Sequence, residues 1–572
     1  MSSRFYLAAM IVLYIIAVFG VCLFKYFNYH YNCVDLAIFF QALNSLDHGN
    51  LLFVPIQGAT YFADHFSLMF FIFYPIFHLW PSPVFLLFLQ TIIIGLAAWP
   101  LYLIARRRLS AKKSLLAAAL YLFNPFIIGM NLFEFHWLPF LFFFGFWLFY
   151  FYETRKNLLF IVFTILCLVV REDMGLFIWG MGAYIFYEQF RANGIKKAIK
   201  DKQVIWCFAA GLVWMLAAWM LIRFFNNESN KFLIYFQWRH DWQQAIAHFF
   251  NFKQLELLLQ IFLPLGFIPL FNPRHYLMGA FYYLLLAAAF GSGVINIHYG
   301  APLLIPGFIA VIKTLAEFES RKSHNRVAEM FRQIAVPTII ILLIYLQIVM
   351  GPFWGIKSAE QTARDSVGRI SGLIESSKIG VAPSALYAPL SSGRQIYSLE
   401  KIYDGHQQFS QKKYEPPAVD FLIIDQSELA PLLLHERFYQ AEGFSATGLA
   451  NIKKFIAAND LRLKFSQGKF LLYTTDADSA QAGEDLINIR LSDAFASWFG
   501  NYFLLRQYKN DQKISEELVV AFEDEMFFKN DGGLNFSLTP VEAAGQLQLN
   551  KLQTAEVRLS AVRELGPEVF AN

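Results

Sequence analysis

Apolar runs separated by short polar breaks fill the first 350 residues of this 572-residue chain. A bilayer core needs roughly 20 apolar residues per helix, and most of the runs have about that length. The pattern predicts eleven membrane spans, near residues 5–24, 83–105, 114–130, 138–152, 157–170, 174–190, 204–222, 255–271, 277–291, 300–316 and 334–352. The first run lacks a small-residue cleavage site, so we expect a retained span rather than a signal peptide.

The run from His65 to Trp80 is Phe-rich but short, and it ends in Trp-Pro-Ser-Pro. Cytoplasmic loops of membrane proteins retain Lys and Arg. With the N-terminus inside and this run lying along the interface, one side collects 19 basic residues and the other 6. If the run from His65 to Trp80 crossed the membrane, every later loop would change sides and the excess of basic residues on one side would be lost. We therefore expect this run to be interfacial. The chain after Trp354 then lies outside the cytoplasm, and the protein is a multi-pass protein of the inner (plasma) membrane.

The density of charge changes near the end of the last predicted span. Residues 1–352 contain 25 Lys and Arg and 15 Asp and Glu, whereas residues 353–572 contain 22 and 28. The first part is therefore typical of a membrane domain and the second of a water-soluble one. We expect an α-helical polytopic membrane domain over 1–354, an extracytoplasmic α/β domain over 355–480 and a small β-rich C-terminal module over 481–572.

The two soluble parts differ in their pattern. A helix near 361–376 precedes short apolar runs at 379–382, 395–399 and 421–425, a helical stretch near 429–439 and a hairpin-like pair near 461–474. Alternating helices and buried strands predict a small α/β domain. After residue 485, several short alternating runs between polar turns predict strands.

Several functional classes are excluded at this point. The net charge of +4 sums a basic part, explained by membrane topology, and an acidic part, so no nucleic-acid partner is implied. Four irregularly spaced cysteines do not form a disulfide framework or a CxxC metal site. The sequence contains no GxGxxG, P-loop, HExxH or DxD pattern, so it supports neither nucleotide binding nor a firm metal site.

The same topology gathers polar side chains on the outer face. Burying a carboxylate at a helix end costs several kcal/mol unless it is paired or faces a polar cavity, so such acids are functional candidates. The candidates at the predicted outer loops and helix ends are Asp35, Asp64, His65, Glu134, His136, Arg171, Glu172, Asp173, His298 and Tyr299. Their placement predicts one outward-opening site.

Short motifs around these positions carry a family resemblance. They are Cys33-Val-Asp35 through Gln41, Ala63-Asp64-His65-Phe-Ser, Trp80-Pro-Ser-Pro83, Asn131-Leu-Phe-Glu134-Phe-His136, Arg171-Glu172-Asp173 and Ile297-His298-Tyr299-Gly-Ala-Pro. In this order they resemble the DUF2079 family of predicted multi-spanning bacterial and archaeal membrane proteins. That family is similar to a branch of the GT-C superfamily of lipid-phosphosugar-dependent glycosyltransferases. The resemblance covers about residues 1–475.

The resemblance implies a chemistry and its residues. A sugar would pass from a polyprenyl-phosphate donor in the membrane to a glycan, lipid or protein acceptor, with an Asp just after the first span as the base. Asp35 fits that description, and Asp64 and Glu134 are further catalytic candidates. Candidates for binding substrate are His65, His136, Arg171, Glu172, Asp173, His298 and Tyr299. No cofactor is certain; a divalent cation, which some GT-C enzymes need and others do not, would be held by the acids.

Structural alternatives exist for several of these residues. Asp35 and Asp64 are also placed to cap helices. The Arg171-Glu172-Asp173 run could form an internal salt bridge that pins two helices, and an outward His298 could be merely hydrated. At the level of function, the alternatives are a transporter or flippase of a lipid-linked saccharide, and a non-catalytic envelope assembly protein. Transport would favour ionisable residues near the midplane on broken helices from two related halves, whereas these residues lie at one surface.

Overall fold

The computed structural model describes residues 2–31, 33–226, 246, 252–289, 298–320, 337, 340–345, 361–407, 410, 412–425, 428–429, 448–467, 469–476, 501–509, 512–522, 525–528, 535–541 and 562–564. The chain divides into two compact units. The first comprises Met1–Val54, Ala59–Ala359 and Gln408–Gln411, and the second comprises Pro55–Gly58, Glu360–Gln407 and Lys412–Asn572. The predicted boundary at 354 lies outside the described residues.

The first unit is built from helices. They are α1 (Ser3–Phe27), α2 (Val34–Leu46), α3 (Met69–Phe77), α4 (Pro83–Leu96), α5 (Ala98–Arg106), α6 (Ala111–Leu122), α7 (Pro125–Phe133), α8 (Leu141–Glu153), α9 (Asn157–Leu168), α10 (Met174–Asn193), α11 (Ile195–Ile199), α12 (Lys202–Phe225), α13 (Phe252–Phe262), α14 (Ala280–Ala289) and α15 (Ala301–Ser320). A two-stranded ladder, β1 (Phe53–Val54) and β2 (Ala59–Thr60), follows α2.

Polar caps decide where several of these helices begin. The side chains of Ser82, Ser110, Asn124 and Asp201 each accept a hydrogen bond from a backbone N–H in the first turn of α4, α6, α7 and α12. Such caps satisfy donors that the helix itself leaves unpaired. In α4 and α7 the cap is followed by a proline at the first helical position, where the missing N–H costs nothing.

Among the described residues, four helices are long and apolar enough to cross a membrane. They are Ser3–Phe27, Pro83–Arg106, Lys202–Phe225 and His298–Glu319, and the pair Ala111–Leu122 and Pro125–Phe133, bent by 43°, makes a fifth if it is one broken span. Predicted spans 138–152, 157–170 and 174–190 are occupied by the helices α8, α9 and α10. The run 334–352 lies largely outside the described residues.

The run predicted as one span at 255–271 is not one continuous helix. The helix α13 ends at Phe262, and short 3₁₀ segments follow at Leu263–Leu265, Ile268–Phe271 and Pro273–Gly279. Pro264, Pro269 and Pro273 lack the N–H that a continuous helix needs, and this explains the breaks. The next predicted span, 277–291, is also shorter than expected, because its α-helix is α14, Ala280–Ala289.

The run from His65 to Trp80 contains the nine-residue helix α3, Met69–Phe77. At about 1.5 Å per residue this helix is about 14 Å long, less than half of the roughly 30 Å hydrocarbon core. Its length fits the interfacial placement predicted from the basic residues.

The second unit contains a five-stranded mixed sheet. Its strands are β3 (Ile379–Ala382), β4 (Gln395–Ser398), β5 (Phe421–Asp425), β6 (Arg462–Gln467) and β7 (Phe470–Thr474). Their spatial order is β4-β3-β5-β7-β6, with β4, β3 and β5 parallel and the β6–β7 hairpin antiparallel. The helices of this part are α16 (Gln361–Leu373), α17 (Tyr387–Ser391), α18 (Leu399–Asp404) and α19 (Gly448–Ala458). These elements give the described part of 361–476 an α/β architecture; most of the predicted helix at 429–439 lies outside the described residues.

Packing in this sheet is tight at one glycine. A Cβ atom on Gly380 would lie 2.3 Å from the ring of Phe421 on the neighbouring strand, so the strand pairing requires glycine there. Val381, Leu422 and Leu471 are fully or almost fully buried in the core of the sheet.

Strands also occur after residue 500. They are β8 (Asn501–Lys509), β9 (Gln512–Phe522), β10 (Glu525–Phe528), β11 (Asn535–Val541) and β12 (Val562–Glu564), in the spatial order β11-β8-β9-β10-β12. They belong to the second unit, and a separate module over 481–572 stays a prediction.

Candidate functional site

Asp35 lies in the first turn of α2, directly after the connection from α1. Its carboxylate oxygen Oδ2 is 2.9 Å from Nε2 of His136, in the turn between α7 and α8. The interpretation of Asp35 as a helix cap is wrong, since the N-cap of α2 is Cys33 and Asp35 is the second helical residue. Cys33 has a φ of 59°, a left-handed conformation that is strained for a non-glycine residue and turns the chain into α2.

Glu134 caps α2 from a distant part of the chain. Its Oε2 accepts a hydrogen bond of 2.8 Å from the backbone N–H of Leu36, and its side chain is almost fully buried. Burial, followed by the negative charge of Asp35, raises the pKa of Glu134 to about 8. Glu134 is therefore mostly protonated at neutral pH.

This shifted pKa predicts a pH dependence of stability. Because the folded protein holds a proton on Glu134 that the unfolded chain releases above about pH 4.5, Glu134 lowers stability progressively as the pH rises from about 4.5 to about 8. The contribution is about 1.4 kcal/mol for each pH unit inside that window. Glu134→Gln keeps an acceptor for Leu36 and removes the titration.

We expect the thermal stability of the Glu134→Gln protein in detergent to fall less between pH 5 and pH 8 than that of the unsubstituted protein. The measurement is the midpoint of thermal unfolding across this range, compared as a difference between the two proteins so that other titrating groups cancel. Parallel curves would show that Glu134 keeps an ordinary pKa.

Gln90 fixes the turn that contains Glu134 and His136. Its Oε1 accepts a 2.8 Å hydrogen bond from the His136 N–H, and its Nε2 donates to the carbonyl oxygens of Glu134 at 2.8 Å and Asn131 at 3.3 Å. Thr91 donates to the Asn131 side chain at 3.1 Å. These buried amides were missed in the sequence, where the only signal is a Gln-Thr pair inside an apolar run.

His136 is stacked on His298, which comes from the turn before α15. The two ring centroids are 3.4 Å apart and the planes are inclined by 20°. His298 is 5% exposed, and its Nδ1 is buried without a hydrogen-bond partner. The ring of Phe39, one turn after Asp35 on α2, makes a T-shaped contact with the His136 ring, with the centroids 5.0 Å apart. The Asp35 carboxylate thus lies beside an imidazole that is itself packed against the rings of His298 and Phe39.

Arg171 is engaged inside the protein. Its guanidinium pairs with Asp173, donates to the Tyr282 hydroxyl at 3.0 Å and lies over the Tyr299 ring at 4.7 Å. The side chain is 9% exposed. The internal salt bridge, the structural alternative for this residue, is therefore present, and Nε and Nη2 of Arg171 donate to protein groups.

His65 and Glu172 form a second group of contacts in the site. Nδ1 of His65 is 2.7 Å from Oε1 of Glu172, while Oε2 of Glu172 accepts a 3.0 Å hydrogen bond from the Phe66 N–H. Asp64 lies 3.7 Å from Nε2 of the same imidazole. Asp64 does not cap the Phe-rich helix, because α3 begins later, at Met69.

Tyr61 lies close to both groups of residues, the one around Asp35 and the one around His65. Its ring lies 5.6 Å from Phe39 and 6.0 Å from His65. Burial, followed by the charges of Glu172 and Asp64, raises the pKa of Tyr61 well above its ordinary value; Asp35 adds to this rise and Arg171 opposes it. Acids of both groups, Asp35 of the first and Asp64 and Glu172 of the second, therefore act electrostatically on the Tyr61 side chain.

All ten predicted positions thus lie in one set of contacts within the first unit, which we call the Asp35 site. It comprises Asp35, Asp64, His65, Glu134, His136, Arg171, Glu172, Asp173, His298 and Tyr299. Within the described part of the chain no group of three or more His, Cys, Asp or Glu side chains has the arrangement of a metal site. The Asp35 site pairs carboxylates with imidazoles, Asp35 with His136 and Glu172 with His65, an arrangement suited to moving a proton.

Comparison with known proteins gives likenesses to solved structures and a match to one family. The crystal structure of ArnT from Cupriavidus metallidurans bound to undecaprenyl phosphate matches with a TM-score of 0.47 and 12% sequence identity, over 82% of this chain and 98% of that chain. A likeness of this size does not establish a shared fold or activity. No curated protein matches the chain. The family described as "Predicted membrane protein (DUF2079)" matches residues 25–445, nearly three quarters of the sequence, and the chain is a member of that family.

Proposed function

We propose that the protein is an integral membrane glycosyltransferase. It takes a sugar from a polyprenyl-phosphate donor and passes it to an envelope acceptor at the extracytoplasmic face of the inner membrane. The observation that carries the proposal is the contact between Asp35 and His136 in a site that also contains Asp64, His65, Glu172 and His298. The resemblance to GT-C enzymes, which implies a catalytic Asp just after the first span, also supports Asp35 in this role.

Asp35 is the general base in this proposal. Its side chain is 32% exposed, compared with 14% for Asp64, 22% for Glu172 and 14% for Asp173, and Glu134 is almost fully buried. A base must reach the acceptor hydroxyl, so accessibility favours Asp35 among the five acids. His136 orients the carboxylate, and Gln90 holds His136 in place through its backbone.

The reaction follows from these positions. Asp35 takes the proton of the acceptor hydroxyl as its oxygen attacks the anomeric carbon. The bond from that carbon to the phosphate oxygen breaks, and the polyprenyl phosphate leaves with the electron pair. His298, with its unpartnered Nδ1, and His65 are the side chains that we assign to the phosphate. Glu134 and Arg171 have positioning roles in this proposal. Glu134 caps α2, and Arg171 is a fixed internal charge.

The proposal is tested with purified protein in detergent micelles. A flippase moves a lipid without breaking a bond, and a micelle has no second leaflet to receive it, so the donor stays intact. A transferase instead releases free polyprenyl phosphate from a labelled polyprenyl-phosphate sugar. We expect release of the polyprenyl phosphate that depends on the protein and on an added acceptor extract. An intact donor in micelles, together with transbilayer movement of the same lipid in sealed vesicles, would replace the enzyme by a transporter.

A further inference from the structure

A four-residue turn in the loop between α2 and Asp64 belongs to the second unit. This turn, Pro55–Gly58, connects the short strands β1 and β2, which belong to the first unit. Its first three residues are buried. Connecting segments normally run over the surface, because a buried turn carries backbone polar groups that need partners. The partners of this turn therefore show what holds it in place.

Tyr414 is bonded to the first residue of the turn. Its hydroxyl donates a hydrogen bond of 2.7 Å to the carbonyl oxygen of Pro55 and accepts one of 2.9 Å from the backbone N–H of Ser398. Ser398 is the last residue of β4, an edge strand of the mixed sheet. Tyr414 is 7% exposed, so both bonds lie away from water. One hydroxyl group thus joins the turn to the sheet.

Gly58, the last residue of the turn, is held as well. Nε2 of Gln407 donates a hydrogen bond of 3.0 Å to its carbonyl oxygen. Gly58 has a φ of 71°, and a Cβ atom there would lie 2.9 Å from the ring of Tyr414. Glycine permits both the left-handed conformation and this close approach. The carbonyl groups at both ends of the turn are therefore bonded to side chains of the second unit.

The strands on either side of the turn lead to the Asp35 site. β1 and β2 pair antiparallel, and at their base the N–H of Tyr61 donates a hydrogen bond of 2.8 Å to the carbonyl oxygen of Leu52. Tyr61 is 4% exposed, and its ring lies between Phe39, at 5.6 Å, and His65, at 6.0 Å. A shift of the turn would therefore displace Tyr61 and, with it, the imidazole of His65.

We propose that Tyr414 is a positioning residue of the Asp35 site. It fixes the turn Pro55–Gly58, and through β1, β2 and Tyr61 it holds His65 in the place that binds the departing phosphate. This inference rests on the proposed function, in which His65 is assigned to the phosphate. The role of Tyr414 is placement rather than contact with the reacting atoms. A misplacement of about 1 Å caused far from the chemistry can cost about 10² in rate.

The test compares Tyr414→Phe with Tyr397→Phe. The first substitution removes the bond to Pro55 and keeps the ring. The second is the matched control: Tyr397 is 5% exposed in the same sheet, and its hydroxyl accepts a hydrogen bond of 2.9 Å from Nε2 of Gln395.

Both full-length proteins are assayed in detergent for release of polyprenyl phosphate at saturating donor, per amount of folded protein. We expect Tyr414→Phe to lower the rate about tenfold or more and Tyr397→Phe to change it less than about twofold. Equal rates in the two variants would overturn the proposal.

A double variant separates placement from a general loss of stability. In the His65→Gln protein the side chain assigned to the phosphate is already removed. Two changes that act through one side chain are not additive. Tyr414→Phe should therefore lower the rate by a smaller factor in the His65→Gln protein than in the unsubstituted protein. The same factor in both would assign Tyr414 to stability alone and overturn the proposal.

Hydrogen exchange gives a reading that does not depend on transfer. The backbone amides of residues 51–66 should exchange faster in Tyr414→Phe than in Tyr397→Phe, because the strand pair opens more often. Unchanged exchange would overturn the inference even in an active enzyme. Faster exchange in a protein that transfers no sugar would support the placement of the loop by Tyr414 and remove the proposed function instead. If Tyr414→Phe does not fold, Gln407→Met, which removes the bond to Gly58 from a partly buried side chain, is compared in the same way.

Discussion

Replacing Asp35 by Asn is expected to lower sugar transfer by about 10²- to 10⁴-fold. This is the range usually lost with a positioned general base. The amide has nearly the same shape as the carboxylate but cannot accept the proton of the acceptor hydroxyl. Binding of the donor should change little, because the residues assigned to the phosphate, His65 and His298, are untouched. The measurement is the rate of release of polyprenyl phosphate at saturating donor.

The matched control is Asp47→Asn, at the other end of α2. The Asp47 carboxylate accepts one hydrogen bond of 2.7 Å from the Tyr74 hydroxyl and lies 2.7 Å from Nδ1 of His78. Neither partner belongs to the Asp35 site. We expect its transfer rate to stay close to that of the unsubstituted protein. Equal rates for the Asp35 and Asp47 variants, both folded, would remove Asp35 from the role of base.

Replacing Arg171 by Met is expected to lower the free energy of unfolding by about 3–5 kcal/mol. The substitution keeps most of the volume but leaves the carboxylate of Asp173 with a side-chain exposure of 14% and without its cation. Breaking a buried ion pair from one side is costly because the remaining charge stays desolvated. The Tyr299 ring and the Tyr282 hydroxyl also lose a partner.

Lys113→Met is the control for this prediction. Lys113 pairs with Glu319 at 2.6 Å, but the two side chains are 51% and 33% exposed. An exposed pair of this kind contributes about 1 kcal/mol or less. Both variants are unfolded thermally in the same detergent. The double variant Arg171→Met with Asp173→Asn should recover part of the loss; if it is no more stable than Arg171→Met, the ion pair is not the cause.

The placement of the site could be predicted from the sequence. The ends of apolar runs mark the ends of helices, and alternation of the spans brings every second loop to the same face. Asp35, Glu134 and Arg171 each follow such a run, so their convergence depends on topology alone. The family motifs pointed to the same positions, and the match over residues 25–445 confirmed the family.

The contacts inside the site could not be predicted. The stack of His136 on His298 joins residues 162 positions apart and depends on how α8 and α15 pack. Gln90 is hidden because one amide in an apolar helix does not alter the apolar pattern. The cap of α2 is supplied by Glu134 rather than by Asp35 or a neighbour, and no local rule relates side chains about 100 residues apart.

The break inside the predicted span 255–271 was missed for a related reason. Hydropathy averages over a window and does not register single prolines, so the run around Pro264 and Pro269 reads as one span although the helix ends at Phe262. Hydropathy also does not register helix length. The helices α8 and α9 are apolar, but with 13 and 12 residues they are shorter than the roughly 20 residues of a full crossing.

The most direct test of the central claim is an experimental structure with a non-hydrolysable polyprenyl-phosphate sugar bound. The account predicts the sugar in the Asp35 site, with the phosphate against His298 and His65. A carboxylate oxygen of Asp35 should lie about 3 Å from the acceptor hydroxyl or from a water in its place. A headgroup bound elsewhere in the protein, with the Asp35 carboxylate remote from the anomeric carbon, would contradict it.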